Sequence, residues 1–556
     1  MIRARFATFI GALLTIALGA GCRSERVEAP PGVLTLTASQ SQATWIRNFN
    51  PLMPGCRWPS AAGIYEPLGV YNSVKGEWVP WLATAWGWRD EGLTLAFTLR
   101  QGVQWSDGQP FTAADVLFTF ELIKRFPALD QKSVWKFLDQ VSVGPEGEVL
   151  FKFKRVYVPG LPWIAHQPLV PKHAWASIED PVAFTNPNPV ATGPFTEVRL
   201  FQNQVYELGK NPHYWQPGKP AIEAIRLPAF PGNDQANLAL VDGELDWAAN
   251  YVPAVERVFV RKDPTHHHYW FPPMGSTVFL YANTTRAPFG SVSVRKALSL
   301  AIDRNLIVDV AMSHYTLPSD ATGLSAAYEK WRDPGAVARG TWVRFDAEEA
   351  GRLLDAAGLK RDAKGQRLLP DGKKLSLSIA VVNGWSDWVR AAQVIARGLK
   401  KVGIDASVRL LDEGTWFQRL QQGDFELAVG WSIEGVAPYE FYRWLMSRET
   451  VLPLDTPAAG NWHRYGSEAA APVFAEIERT TDPVRERELE VRLQEIFVDE
   501  APAIPLFPNP AWGEFNTRRF EGFPDAANPW AALSPNKMPD ALLMLTTVKP
   551  RAQGAR

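Results

Sequence analysis

Apolar and polar positions change period repeatedly along the chain, and each change marks an element. Val33 to Ser39 alternates after a Pro-Gly pair and predicts a strand, as does Leu93 to Leu99. A helix then starts at Thr112, three residues before Asp115 as a reciprocal cap requires, with Val116, Leu117, Phe120 and Ile123 on its apolar face. Gln140 to Val143 and Val149 to Phe153 predict strands flanking the turn Pro145-Glu146-Gly147. This small α+β unit ends near the Asn-Pro-rich stretch 186–194. Residues 195 to about 290 read as strand-rich, with one amphipathic helix ahead of the breaker Gly243. Val294 to Met312 keeps helical spacing through Ala297, Leu298, Ala301, Ile302, Leu306 and Ile307 and predicts a single helix.

From residue 346 the period alternates regularly: helix 346–358, strand 375–383, helix 388–403, strand 405–411, a helix around 416–423 and strand 425–431. A β-α-β-α-β order with short Gly-rich junctions predicts an α/β domain whose ligands sit at the C-terminal ends of the strands. One more helix, 484–498, precedes Pro502, Pro505, Pro508 and Pro510, beyond which an irregular segment carrying Trp512 and Trp530 is expected.

Composition narrows the function. With 59 acidic against 58 basic side chains and no long Lys/Arg run, the chain has no electrostatic footprint for nucleic acid. It holds 23 Trp, and Trp45, Trp58, Tyr65, Tyr71, Trp78, Trp81, Trp86 and Trp88 crowd one irregular stretch, which suggests rings serving recognition as well as cores. Arg3 and Arg5, the apolar run Phe6 to Leu18 and the small residues Gly19-Ala20-Gly21 form an export signal, too short to span a membrane. Cys22 directly after the small residues resembles a bacterial lipoprotein signal, although Gly19 stands where such boxes usually carry Leu. It is the expected lipidation site, with 23–32 as a polar tether.

Enzyme signatures are absent. The sequence has no G-x-S-x-G, H-E-x-x-H, phosphate-binding Gly-Lys-Ser/Thr or G-x-G-x-x-G pattern in the right setting. His266-His267-His268 would alternate sides on a strand and reads as a surface feature, so no metal and no cofactor are expected. Asp242, Glu244 and Asp246 could pair as glycosidase carboxylates, but they lie at a helix end and turn, and no catalytic residue is assigned.

The segments "IYEPLGVY", "LTLAFTLRQGVQWSDGQPFTAADVLFTFELIK" (93–124), "GELDWAANY", "VRKALSLAIDRNLIV" and "LLDAAGLKRDAKGQRLLPDGKKLSL", in this order, resemble the extracytoplasmic dipeptide/oligopeptide-binding family of ATP-driven importers. The resemblance implies an α/β, two-lobed periplasmic-binding-protein fold that closes on its ligand like a trap, with an extra α+β subdomain. The implied divisions are 1–21 signal peptide, 22–32 lipidated Cys and tether, 33–69 lobe I, 70–189 extra subdomain, 190–295 lobe I again, 296–505 lobe II and 506–556 the C-terminal part of lobe I. Implied partners are a small-molecule ligand and the inner-membrane permease of an importer, the protein being a monomer held at the membrane by its lipid.

Within that family, "NSVKGEWVPWLA" (72–83), "NGWSDW" (383–388), "GWSIEGVAPYEFYRWLMS" (430–447) and "PLFPNPAWGEFN" (505–516) look closest to members that bind β-linked oligosaccharides such as cellobiose or mannobiose. Residue chemistry agrees: flat pyranose C–H faces favour Trp, and edge hydroxyls need amide or carboxylate partners. Such pairings occur at Trp45/Asn48, Trp385/Asp387/Trp388 and Trp431/Glu434. The expected ligand contacts are Trp45, Asn48, Trp247, Asn250, Asn383, Trp385, Trp388, Trp431, Glu434, Tyr439, Trp512 and Trp530, whereas Phe97 and Trp105 are expected in the core. The alternative is a peptide ligand: in peptide-binding members a carboxylate three residues after a strand-end Trp holds the peptide amino group, and Glu434 stands at that place after Trp431.

Overall fold

Thr35–Thr37 runs parallel to Ala224–Phe230, which pairs antiparallel with Val205–Lys210 and through it with Phe195–Gln202. This sheet is the centre of lobe I. The computed structural model describes residues 34–53, 56, 58–272 and 276–552; Cys22, the leader and the tether lie outside them. The extra subdomain is the antiparallel sheet Ala83–Arg89, Thr94–Leu99, Val149–Phe153 and Leu138–Val143 with the helix Ala113–Arg125. That helix begins as the sequence requires: the Thr112 backbone N–H donates to Asp115 Oδ2 at 2.9 Å. Phe97 and Trp105 are buried in its core.

Lobe II is built on the sheet Asp405–Leu411, Ser376–Val382, Leu427–Trp431, Thr277–Ala282 and Ile504–Pro508, in that order. The first three strands are parallel, as the alternating pattern predicts, and Thr277–Ala282 runs antiparallel to both of its neighbours, Leu427–Trp431 and Ile504–Pro508. The lobe II sheet therefore starts before residue 296 and runs past 505, because the two crossing strands pair with Leu427–Trp431 and its neighbour. The helix Ser386–Lys401 buries Trp388, Ala391, Ala392, Ile395, Ala396 and Leu399, a helical stripe, against this sheet.

Three further expectations need correction. The stretch 294–312 forms two helices, Val292–Leu300 and Arg304–Val310. Asp303 caps the second by accepting the Leu306 N–H at 3.0 Å. The turn between them packs on Gly398 so closely that a Cβ there would lie 2.1 Å from the Ala301 carbonyl oxygen. Packing of the turn thus overrides an apolar period that continues across it. The C-terminal segment is also less irregular than expected: Glu514–Asn516 pairs with both Trp247–Ala248 and His267–Tyr269, and Ala541–Thr547 is helical. Finally, the histidine triplet is not all surface. His267 is buried and stacks on Phe259 at 4.2 Å, its Nδ1 3.0 Å from the Phe259 carbonyl oxygen.

Candidate functional site

Both lobes turn the C-terminal ends of their parallel strands toward the same cleft. In lobe II these ends carry Asn383–Trp388, Asp412–Phe417 and Trp431–Gly435; in lobe I they carry residues 38–45 and Pro231–Asn233. Loops at such ends are free of sheet hydrogen bonding on one side, which is why ligands collect there.

The lobe II wall is aromatic. Trp431, last residue of its strand, has Trp416 at 5.0 Å, Trp462 at 5.7 Å, Trp385 at 6.0 Å, Trp388 at 6.1 Å and Phe417 at 6.0 Å. The Phe417 and Trp431 planes are 19° apart, and the Trp431 carbonyl accepts the Tyr281 hydroxyl at 3.0 Å. Trp388, Trp416 and Trp462 are buried, and Trp385, Phe417 and Trp431 are half-buried. The buried rings fix the half-buried ones from behind, so this wall is rigid before any ligand arrives.

A cavity of about 290 Å³ lies where this wall meets lobe I. Trp45, Asn48, Met53, Trp58 and Tyr206 line it from lobe I, and Glu413, Gly414 and Phe417 from lobe II. Trp45 meets Tyr206 edge to face at 4.9 Å. Among the described residues the buried indole N–H groups of Trp45 and Trp58 have no partner. The site therefore offers aromatic faces with two unpartnered donors buried just behind its lining, a combination that suits a ligand with apolar faces and oxygen-rich edges. Burial pushes the Cys56 thiol, also on this cavity, up to about 12, so it is an inert neutral group there.

Comparison with known proteins agrees with this geometry. The description "Bacterial extracellular solute-binding proteins, family 5 Middle" matches residues 77–451. The chain belongs to that family. The nickel-binding periplasmic protein of Escherichia coli is 26% identical over 72% of this chain and 76% of its own length. The glutathione-binding protein GsiB of Salmonella typhi is 26% identical over 80% and 83%. The mannohexaose-bound periplasmic oligopeptide-binding protein of a Thermotoga maritima ABC transporter is 26% identical, covers 93% of this chain and 99% of its own, and superposes with a TM-score of 0.86.

This family 5 protein is thus the solute-binding component of an ABC importer, and these relatives are binding proteins of transporters rather than enzymes. Among the described residues no helix is long and apolar enough to cross a membrane, and no cluster of three or more His, Cys, Asp or Glu could hold a metal ion.

The residues expected from sequence are distributed unevenly over the site. Trp45 and Asn48 line the cavity, and Trp385 and Trp431 stand on the aromatic wall with Trp388 buried behind them. Trp247 is fully buried, edge-on to Trp58 at 5.4 Å, and its indole N–H donates to the Leu533 carbonyl at 2.6 Å; it supports the cavity wall from behind. Asn250 is buried, accepts the Ser39 hydroxyl at 3.3 Å and lends its backbone N–H to Glu514, whose carboxyl is pushed up to about 8 by burial. Trp512 packs on Tyr251, Phe271 and Tyr315, and the Trp530 carbonyl accepts the Asn72 amide at 2.8 Å.

Two expected residues mark contacts between lobes. The Asn383 side chain is exposed, while Gly384 beside it takes a hydrogen bond from the Asn233 backbone at 3.0 Å, with Asn233 Nδ2 3.2 Å from Asp387 Oδ1. Buried Tyr439 donates to Glu478 at 2.8 Å and lies 3.4 Å from the Tyr157 hydroxyl of the extra subdomain, away from the cavity.

Glu434 pairs with Lys537, which comes from the opposite lobe. The sequence does not single out Met53, Tyr206, Phe417 or Lys537 as site residues, and it marks Trp58 only as one ring of an aromatic stretch. Trp58 and Phe417 carried a signal, the first in its aromatic stretch and the second beside a strand end. Lys537 stands alone in a segment without period.

Proposed function

We propose that this protein captures β-linked oligosaccharides of the cello- or manno-type between two closing lobes and hands them to a membrane permease. The observation that carries the reading is that Phe417, backed by Trp431 and Trp385, faces the Trp45- and Trp58-lined side across a cavity of about 290 Å³. Flat rings on both sides match pyranose faces, and the unpartnered indole N–H groups match ring-edge oxygens. The mannohexaose bound by the Thermotoga maritima relative supports the same class. A peptide would need a free carboxylate for its ammonium, and Glu434, at the position expected for it, already has Lys537 as its partner.

Closure would bring the lobes together as near-rigid bodies, since packed cores switch arrangement more readily than they deform. A thermal-shift screen of cello-oligosaccharides, manno-oligosaccharides and dipeptides tests the class, because a ligand of the folded state raises the melting point by mass action. The reading expects the shift from oligosaccharides, with their length distribution unchanged after long incubation. A shift from dipeptides alone, or shortened sugars, overturns it.

A further inference from the structure

Glu434 and Lys537 meet across the cleft. Glu434 lies three residues beyond Trp431, on the loop that leaves a parallel strand of lobe II, where its neighbour Gly435 donates to the Tyr328 hydroxyl at 2.7 Å. Lys537 belongs to the C-terminal segment, which is tied to lobe I by three bonds. Asn72 Nδ2 donates to the Trp530 carbonyl at 2.8 Å, Trp247 Nε1 to the Leu533 carbonyl at 2.6 Å and Ser73 Oγ to Asp540 at 2.8 Å. Only Glu434 Oε1 is engaged by the ammonium; among the described residues its buried Oε2 has no partner.

A buried carboxylate without a cation is expensive, and a compact ammonium that reaches it satisfies it without any ligand. We infer that Lys537 is a specificity-determining residue: its ammonium occupies the carboxylate at the strand-end loop position where a cationic ligand would be held, so the closed site rejects primary ammonium groups there and leaves Glu434 Oε2 as an acceptor for a hydroxyl. The inference rests on the cleft being the ligand site and deepens the reading as a receptor for uncharged, hydroxyl-rich ligands. Burial pulls the Lys537 ammonium down to about 8, with nearby Asp540 acting in the opposite sense, so it carries its charge at neutral pH.

The test replaces the internal ammonium by an external one. Lys537→Ala leaves Glu434 unpaired beside a hole of the right size for a small cation. Titration with ethylammonium, followed by thermal shift, is expected to stabilise this variant saturably and at least tenfold more tightly than tetramethylammonium, which cannot donate hydrogen bonds. Wild type and the double variant Glu434→Gln/Lys537→Ala, in which no charge is left unpaired, are expected to show no saturable response. Equal responses to the two cations, or an ethylammonium response that survives in the double variant, overturn the assignment. So does a Lys537→Ala variant that responds to neither cation while the double variant folds. The probe carries no sugar, so a protein that binds no cello- or manno-oligosaccharide would sink the oligosaccharide reading and leave the outcome for Lys537 standing.

Discussion

Phe417 and Trp431 lie ring over ring, 6.0 Å between centroids and 19° from parallel, and Phe417 is the edge of that stack that reaches the cavity. The stack links the cavity to the buried tryptophans behind it, so removing Phe417 removes a ligand face and removing Trp431 removes the support that holds it. Phe417→Ala and Trp431→Ala are each expected to weaken binding of cello- or manno-oligosaccharides at least about tenfold, or about 1.4 kcal/mol. Calorimetric titration checks this, and affinities within twofold of wild type would contradict it.

Trp388 has a different job. It is buried behind the wall, edge to face with Trp385 at 4.9 Å, and its loss opens a cavity rather than removing a contact surface. Trp388→Ala is expected to cost about 3 to 5 kcal/mol of stability by denaturant unfolding.

Gly232 and Gly384 place the two lobes backbone to backbone. A Cβ on Gly232 would lie 2.8 Å from the Gly384 Cα, while the Gly232 φ of −178° is one any residue adopts. Gly232→Val should therefore fold normally and wedge the lobes apart. The account expects an unchanged melting point without ligand, weaker oligosaccharide binding and loss of ligand-induced compaction in solution scattering. Gly384 is the poorer target, because its φ of +93° would strain any side chain.

Stability should fall toward alkaline pH. Burial pushes Glu66 and Glu440 up to about 7 and Glu514 up to about 8, so the folded chain holds these protons more tightly than the unfolded chain. Stability from these groups is full below their unfolded values near 4.5 and is lost as pH rises through 7 to 8. His166 and His463 are pulled down to about 3 by burial, and their contribution is lost as pH falls from about 6.5 toward 3. A melting curve series should decline from pH 6.5 to 8 and again below 4.5, and Glu514→Gln should flatten the alkaline limb.

Much of lobe II was legible because its signals are local. Strand 405–411 and the helix expected at 346–358, which forms as Ala347–Ala356 behind an Asp346 cap, stand where the period puts them, since alternation along a strand and a side chain accepting its own helix's N–H groups depend on near neighbours. The crossing strands Thr277–Ala282 and Ile504–Pro508 escape the local pattern because the first pairs with Leu427–Trp431 and the second with the first, each across more than a hundred residues. The same holds at the site. Trp385 and Trp431 follow strand ends and could be singled out, whereas the burial of Trp247 and Tyr439 and the pairing of Lys537 with Glu434 depend on how distant segments meet.

The central claim, capture of an uncharged β-linked oligosaccharide, is tested most directly by titration calorimetry of the wild-type protein with cellobiose, mannobiose, a free dipeptide and its N-acetylated form. The account predicts saturable heat with a cello- or manno-sugar and none with either peptide. Heat from the free dipeptide that vanishes on acetylation, with none from the sugars at millimolar concentration, would contradict it.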